Sequence, residues 1–349
     1  EGVILAHSNE AEWQSFKNNK NNEAFIDRVC IVKVPYCLQV TEEVEIYQKL
    51  LRNSSLHDAP CAPDTLRMLA QFLVLTRIKE PENSSIYSKL RIYDGENLKD
   101  IDPKAKSIQE YRDNAGVDEG MDGLSTRFAF KILSKVFNFD PDETAANPVH
   151  LLYVLEKQID QEQFPEDLRD RYVNFLKEYL TPRYIDFLGK EVQTAYLESY
   201  SQYGQNIFDR YITYADLWIQ DQDFRNPETG EILDHAALND ELEKIEKAAG
   251  IANPKDFRHE VVNFVLRARA SNNGKNPAWT SYEKLRLVIE KTMFSSTEDL
   301  LPVISFNARA SEEDQQKHED FVHRLMEYGY TNKQVRLLSE WYLRVRKSQ

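Results

Sequence analysis

The residues best suited to chemistry in this sequence are one amide and two guanidinium side chains. The first is Asn9, which follows the apolar run at residues 3–6 in VILAHSN. A polar side chain just past a buried strand lies at the carboxyl edge of the sheet, where ligands bind in α/β domains. There the amide could orient a water molecule for attack on a γ-phosphate. The alternative is an ordinary turn residue after a strand.

Arg28 is the second candidate, in the segment EAFIDRV, where a helix end meets the next apolar run. An arginine displayed at such a point can reach into a neighbouring active site and neutralise the charge of a phosphoryl-transfer transition state. In other systems that contribution is on the order of 10³-fold or more in rate. The alternative is a surface ion pair with Asp27 or Glu23.

Arg127 is the third candidate, in GLSTRFAFKIL at residues 123–133. Gly123 and Ser125 or Thr126 suit a helix start, which puts Arg127 in the first turn. A positive charge there opposes the positive end of the helix dipole. This mildly unfavourable position favours an anion nearby.

Two predicted strands would position Asn9 and Arg28. They cover residues 3–6 and 29–34, and Pro35 stops the second. Buried parallel strands need neighbours on both sides and helices on both faces. We therefore expect the chain to begin in the middle of an α/β domain.

Most of the remaining chain is predicted to be helical, because only 11 of 349 residues are glycine and strong helix formers are abundant. Helical spacing of apolar residues begins near Thr41, a candidate N-cap, and another helix follows Asp64. Residues 81–122 interrupt the pattern as an insert with short strands at 86–87 and 90–93. Further helices are predicted at residues 126–137, 147–159, 165–198, 205–222, 236–248, 255–270, 280–293, 312–328 and 332–346.

Composition excludes several classes of protein. The formal net charge of −14 repels phosphate backbones and disfavours nucleic acid as a partner. No stretch approaches the roughly 20 apolar residues of a membrane span, and the N-terminus lacks the basic region of a signal peptide, so we expect a cytoplasmic protein without membrane contact. Cys30, Cys37 and Cys61 have no CxxC spacing, so neither a disulfide framework nor a metal site is predicted.

Taken in order along the chain, the three candidates resemble the second half of an AAA+ module. The resemblance implies that Asn9 is sensor 1, Arg28 the arginine finger and Arg127 sensor 2 on a helical lid. Stretches over the whole length also resemble the PrkA family of bacterial serine protein kinases: GVILAHSNEAEW, NNKNNEAFIDRV, KEPENSSIYSKLRIYDGE, AGVDEGMDGLSTRFAFKIL, AYLESYSQYGQNIFDRY and GYTNKQVRLLSEWYLRVRKS.

This resemblance implies a mostly α fold in three parts. Residues 1–40 would end an AAA+ α/β core with two or so strands, residues 41–138 would form the helical lid with its insert, and residues 139–349 would form a helical C-terminal domain. It also implies ATP and Mg²⁺ as cofactors of the parent protein, a protein substrate or regulatory protein partner, and self-association of that parent.

The sequence departs from a complete kinase in its motifs. It contains no GxxxxGK[ST] loop and no acidic strand end of the kind that holds Mg²⁺, so we expect no nucleotide bound to this chain alone. It also lacks the GxGxxGxV, HRD and DFG motifs of eukaryotic kinases. Phosphotransfer would therefore belong either to the AAA+ phosphate site or to the helical region.

Three alternatives stay open on the sequence alone. The helical region could be a regulatory or partner-binding module without enzymatic activity. The parent could instead be an AAA+ ATPase that remodels proteins without phosphotransfer. Residues 331–349 also carry a net charge of +4 on a predicted helix-turn-helix, an arrangement that can contact DNA but more often packs as a helical hairpin.

Overall fold

The computed structural model describes residues 3–199, 201–226, 230, 232–272, 274–293 and 312–347. The chain divides into two compact units. The first comprises Glu1–Leu38 and Arg77–Gly123, and the second comprises Gln39–Thr76 and Leu124–Gln349. Taken over all the described residues, the chain is mostly helical, as the sequence predicts.

The first unit has four helices among its described residues: α1 (Glu10–Asn18), α2 (Glu23–Ile26), α5 (Ile86–Tyr93) and α6 (Ile108–Ala115). Residues 3–6 and 29–34 form no strand, which corrects the prediction made for them. Their apolar side chains face solvent, with Leu5 93% and Val34 79% exposed. A buried parallel strand needs hydrogen-bonded neighbours, and the described part of this unit supplies none.

The short strands predicted at residues 86–87 and 90–93 are also wrong, because this segment is helix α5. Ser85 caps the helix by accepting a hydrogen bond from the Tyr87 backbone N–H at 3.1 Å. Ile86, Leu90 and Tyr93 are buried and lie on one helical face, at intervals of four and three residues. The β-branched and aromatic residues of IYSKLRIY favour strands locally, but packing of this face selects the helix.

The second unit is built from helices and one small hairpin. Its helices are α3 (Val40–Arg52), α4 (Thr65–Arg77), α7 (Thr126–Phe137), α8 (Pro148–Gln161), α9 (Glu166–Asn174), α10 (Thr181–Ser199), α11 (Ser201–Ile219), α12 (His235–Ala249), α13 (Pro254–Ser271), α14 (Glu283–Met293), α15 (Glu312–Glu327) and α16 (Asn332–Lys347). Strands β1 (Phe224–Arg225) and β2 (Ile232–Leu233) pair antiparallel. Most predicted helix boundaries agree within a few residues.

The predicted long helix at residues 165–198 is nearly continuous but not uniform. A π-helical segment, Phe175–Leu180, joins α9 to α10. Phe175, Leu176 and Leu180 in this segment are buried. Such a segment accommodates one extra residue within an otherwise α-helical run, so the faces of α9 and α10 stay in step across it.

The core of the second unit lies where α7 packs on α8, α10 on α15, α11 on α12 and α13, and α12 on α14. Its largest apolar side chains are aromatic, including Tyr47, Phe72, Phe208 and Phe321, all fully buried. Among the described helices, none combines the length and the apolar character needed to cross a membrane.

Candidate functional site

Asn9 lies at the N-cap of α1, with extended backbone angles (φ −74°, ψ 155°). Its backbone N–H donates to Glu12 Oε2 at 3.4 Å, the return bond of a capping box. Capping alone accounts for an asparagine at this position. The residue is exposed, so its sensor 1 role remains a prediction.

Arg28 lies in the turn after α2, where its backbone N–H donates to the Phe25 carbonyl at 3.0 Å. Arg127 lies in the first turn of α7, directly after the N-cap Ser125 and Thr126. Both arginines are exposed. Asn9 and Arg28 belong to the first unit and Arg127 to the second, each on a different element. The arginine finger and sensor 2 roles remain predictions.

The N-terminus of α7 already has an acidic neighbour from the same unit. Glu43 is fully buried and its Oε1 accepts hydrogen bonds from the Thr126 hydroxyl at 3.2 Å and the Tyr47 hydroxyl at 3.0 Å. A carboxylate near a helix N-terminus is stabilised by the helix dipole. Arg127 therefore starts a helix whose positive end is partly compensated from within.

Basic side chains continue along α7 after Arg127 at intervals of four residues, at Lys131 and Lys135. This spacing puts them on one face of the helix. Lys131 Nζ forms an ion pair with Glu162 at 2.8 Å, and Lys135 Nζ donates to the amide oxygen of Gln158 at 2.5 Å. Both partners lie at the end of α8 or just beyond it, so this face borders the α7–α8 hairpin.

A surface groove of about 500 Å³ runs between α7 and α8. At one end the rings of Phe139 and Tyr153 meet edge to face, with centroids 5.3 Å apart. Lys135 and Lys157 lie about one turn further along the two helices, and Lys157 Nζ lies over the Tyr153 ring, 5.6 Å from its centre. The remaining lining residues are polar or small: Ser134, Asn138, Val154, Gln158 and Gln161.

The first unit contains a buried ion pair that could be mistaken for a catalytic lysine and glutamate. Lys89 Nζ contacts Glu119 Oε1, and the two side chains are 2% and 6% exposed. Glu119 also accepts from the Lys79 backbone N–H at 3.1 Å and from the Tyr93 hydroxyl at 2.5 Å. Burial, and then the bond to Glu119, raise the pKa of Tyr93 above its ordinary value. Because these groups have no solvent access, their arrangement supports the fold of the unit and not a reaction.

Two further charged pairs lie inside the second unit. Arg258 donates to both carboxylate oxygens of Glu246, at 2.7 and 2.6 Å, and both side chains are 1% exposed. Arg183 forms a two-pronged pair with Asp64, directly before α4. Desolvation raises the pKa of the Asp64 carboxyl, although Arg183 opposes that shift. The first pair joins α12 to α13, and the second joins residues that are 119 positions apart in the chain.

Sequence reasoning missed both the groove and the buried pairs. The spacing of Arg127, Lys131 and Lys135 gave a signal for a basic helix face. The contact of Phe139 with Tyr153 spans a connection between two helices, and that of Lys89 with Glu119 spans 30 residues. Neither has a local pattern that would reveal it.

Comparison with known families matches most of the chain to two models. Residues 1–85 match the model of the PrkA AAA domain, and residues 87–341 match the model of the PrkA serine protein kinase C-terminal domain. The chain belongs to the PrkA family. The observed divide between the two models, at residue 86, falls at the start of α5.

Curated PrkA relatives bear two different functional names. The chain is 73% identical over 347 residues to the serine/threonine kinase YeaG of Escherichia coli K12, covering 99% of this chain and 54% of the relative. It is 33% identical over 348 residues to the ATP-dependent protease PrkA of Bacillus subtilis, covering 95% of this chain and 52% of the relative. The chain thus spans about half the length of the curated relatives it matches. No solved structure matches it significantly.

Proposed function

We propose that this PrkA chain carries the nucleotide-sensing and protein-directed part of an ATP-dependent serine/threonine protein kinase. The observation that carries the proposal is the 73% identity to the E. coli serine/threonine kinase across 99% of the chain. ATP and Mg²⁺ would be cofactors of the whole protein.

Within this proposal each exposed polar group has a separate task. Asn9 would orient a water or hydroxyl near the γ-phosphate. Arg28 would extend from its turn toward the nucleotide of a neighbouring copy and neutralise charge developing on the transferred phosphoryl group. Arg127, at the start of α7, would report the nucleotide state to the helical part of the chain. All three are exposed, which leaves them free to meet a nucleotide held by other residues.

The second candidate is ATP-dependent proteolysis, favoured by the name of the B. subtilis relative. That relative is 33% identical, against 73% for the kinase, so the kinase is the first choice. The two activities give different products from the same mixture. Kinase activity transfers labelled γ-phosphate to a protein serine or threonine, whereas proteolysis creates new peptide termini and releases only free phosphate.

The sensing roles are tested in a protein extended to the full length of the relatives. Arg28→Ala and Arg127→Ala are each expected to lower ATP turnover by at least about tenfold, because an arginine finger contributes on the order of 10³-fold or more elsewhere. Arg52→Ala, which removes an exposed arginine at the end of α3, is the matched control and should leave turnover unchanged. Unchanged turnover in Arg28→Ala would show that the finger assignment is wrong.

The isolated chain of 349 residues should bind ATP weakly or not at all, because it has no phosphate-binding loop. Isothermal titration calorimetry with Mg²⁺ and ATP measures this directly. Micromolar binding would contradict the division of labour proposed here. A non-enzymatic role of the helical part is tested separately: residues 139–349 that hold a specific partner without any phosphotransfer would favour a regulatory module.

A further inference from the structure

The α7–α8 groove has an aromatic end and a basic end. Phe139 and Tyr153 are 40% and 49% exposed, which is high for large rings that already touch each other. Lys135 lies one helical turn before Phe139, and Lys157 lies one turn after Tyr153. Because α7 and α8 run antiparallel, both lysines fall at the same end of the groove.

The antiparallel arrangement follows from contacts along the hairpin. Phe139 contacts Tyr153 near the connection between the helices, Lys135 contacts Gln158 further along, and the pair formed by Lys131 and Glu162 lies further still. Lys157 follows Tyr153 by four residues, about 6 Å along α8, and its Nζ lies over the Tyr153 ring, 5.6 Å from the ring centre. An extended peptide covers that distance in about two residues.

The two lysines carry charge that no carboxylate neutralises at contact distance among the described residues. Lys135 Nζ donates to the neutral amide of Gln158 at 2.5 Å, and Lys157 Nζ lies 5.6 Å from the centre of the Tyr153 ring. The chain as a whole has a formal charge of −14. A local positive end on a negative protein attracts acidic ligands to this place and repels them elsewhere.

We propose that the groove docks an acidic peptide segment of a partner protein, with an aromatic residue followed about two positions later by carboxylates. The aromatic ring packs against Phe139 and Tyr153, and the carboxylates pair with Lys135 and Lys157. Amide groups lining the groove, among them Gln161, supply hydrogen bonds to the peptide backbone. This docking surface adds to the proposed function and does not depend on it, because it involves no nucleotide.

A peptide fits these features better than a nucleic acid does. Two lysines neutralise at most about two phosphates, which gives little affinity for a polyanion on a strongly negative protein. A short carboxylate motif needs only that many cations.

The test is a fluorescence anisotropy titration of the full chain against the labelled synthetic peptide Gly-Trp-Gly-Glu-Glu-Gly. Binding should weaken at least about tenfold in Lys135→Glu/Lys157→Glu and in Phe139→Ser. The control variant Lys244→Glu/Lys247→Glu makes the same charge change on exposed lysines of α12 and should bind like the unmodified chain. Circular dichroism confirms that each variant is folded.

A peptide of opposite charge, Gly-Trp-Gly-Lys-Lys-Gly, adds a test in which the groove variant is expected to gain affinity and not to lose it. It should bind the Lys135→Glu/Lys157→Glu variant more tightly than it binds the unmodified chain. Three outcomes would overturn the proposal: no binding of the acidic peptide, equal weakening by the α12 control, or stronger binding of a single-stranded oligonucleotide.

Discussion

The buried Lys89–Glu119 pair makes the sharpest prediction about stability in the first unit. Breaking a buried ion pair on one side costs about 3–5 kcal/mol, because the remaining charge is left desolvated. Lys89 Nζ keeps a bond to the Lys79 carbonyl at 3.0 Å and lies 5.4 Å from the Tyr93 ring centre. These contacts offset part of the loss, so Glu119→Gln should cost about 3 kcal/mol, roughly a hundredfold in the unfolding equilibrium.

A double-mutant cycle with Lys89→Met separates the pair from its surroundings. The variant Lys89→Met/Glu119→Gln removes both charges. The side-chain amide oxygen that Glu119→Gln introduces can still accept the hydrogen bond from the Lys79 backbone N–H. We expect it to be more stable than the sum of the two single changes predicts, by about 2 kcal/mol or more. Urea unfolding followed by hydrogen exchange at residues 86–93 and 108–115 reports on this unit, because both segments belong to it.

The matched control is the exposed pair of Lys33 and Asp118 in the same unit, 3.1 Å apart with side chains 52% and 57% exposed. The same kind of cycle, Lys33→Met with Asp118→Asn, should give about 0.2–1 kcal/mol, as exposed pairs do. A coupling at Lys89 and Glu119 no larger than at this control would refute the argument that burial sets the value.

Two further predictions concern the second unit. Gly204→Ala would place a Cβ 2.8 Å from the Trp279 ring, whereas the Cβ of Gly189→Ala would meet the Tyr342 hydroxyl, which can move, at 3.1 Å. Both substitutions gain equally in helix propensity, so Gly204→Ala should be less stable than Gly189→Ala by about 1–3 kcal/mol. Thermal unfolding of the two variants measures this difference. The pKa of Asp140 is lowered chiefly by its bond to Lys333, so the stability it adds is present above its unfolded pKa of about 3.9 and is lost as pH falls through the folded value. Asp140→Asn should abolish this acid-dependent loss in urea titrations across that range.

Each of these two has an outcome that would contradict it. Equal melting temperatures for Gly204→Ala and Gly189→Ala would mean that the Trp279 ring moves aside at no cost. A variant Asp140→Asn that loses stability on acidification as steeply as the unmodified chain would assign the pH dependence to other carboxylates.

Helices that bury one face were predictable from the sequence. Residues 126–137 were predicted as a helix and form α7, whose buried Ala129, Ile132, Leu133 and Val136 repeat every three or four residues. The spacing of apolar residues was sufficient here because a repeat of about 3.6 residues puts them all on the one face of the helix that packs against the core. Asp64 likewise stands directly before α4, as predicted.

Strands were not predictable in the same way, because an apolar run specifies a strand only when partners are present. Residues 3–6 and 29–34 have the composition of buried strands, yet they are exposed and unpaired. At α5 the local preference was for strand, and the burial of Ile86, Leu90 and Tyr93 overrode it. Tertiary packing decided each of these cases.

For the candidate site, the sequence predicted which residues to consider and on which elements they lie, but not which residues the fold brings together. The positions of Asn9, Arg28 and Arg127 relative to predicted elements came from the sequence, and the structure locates each at an exposed helix start or turn. The groove needed the hairpin to close, since Phe139 and Tyr153 come from opposite sides of a connection. The spacing of charged and aromatic residues within one helix predicts only the residues that this helix contributes to the groove.

The π-helical segment Phe175–Leu180 accommodates one more residue than a regular α-helix would need between α9 and α10. Removing one residue from the segment would therefore turn it into regular α-helix and leave the residues of α10 on their present faces. Arg183 would still reach Asp64, and Gly189 would still accommodate the Tyr342 ring. Removing one residue from the regular part of α9 would instead rotate α10 by about 100° relative to the start of α9. The segment is thus the place in this long helix where a one-residue deletion changes the length and not the packed face.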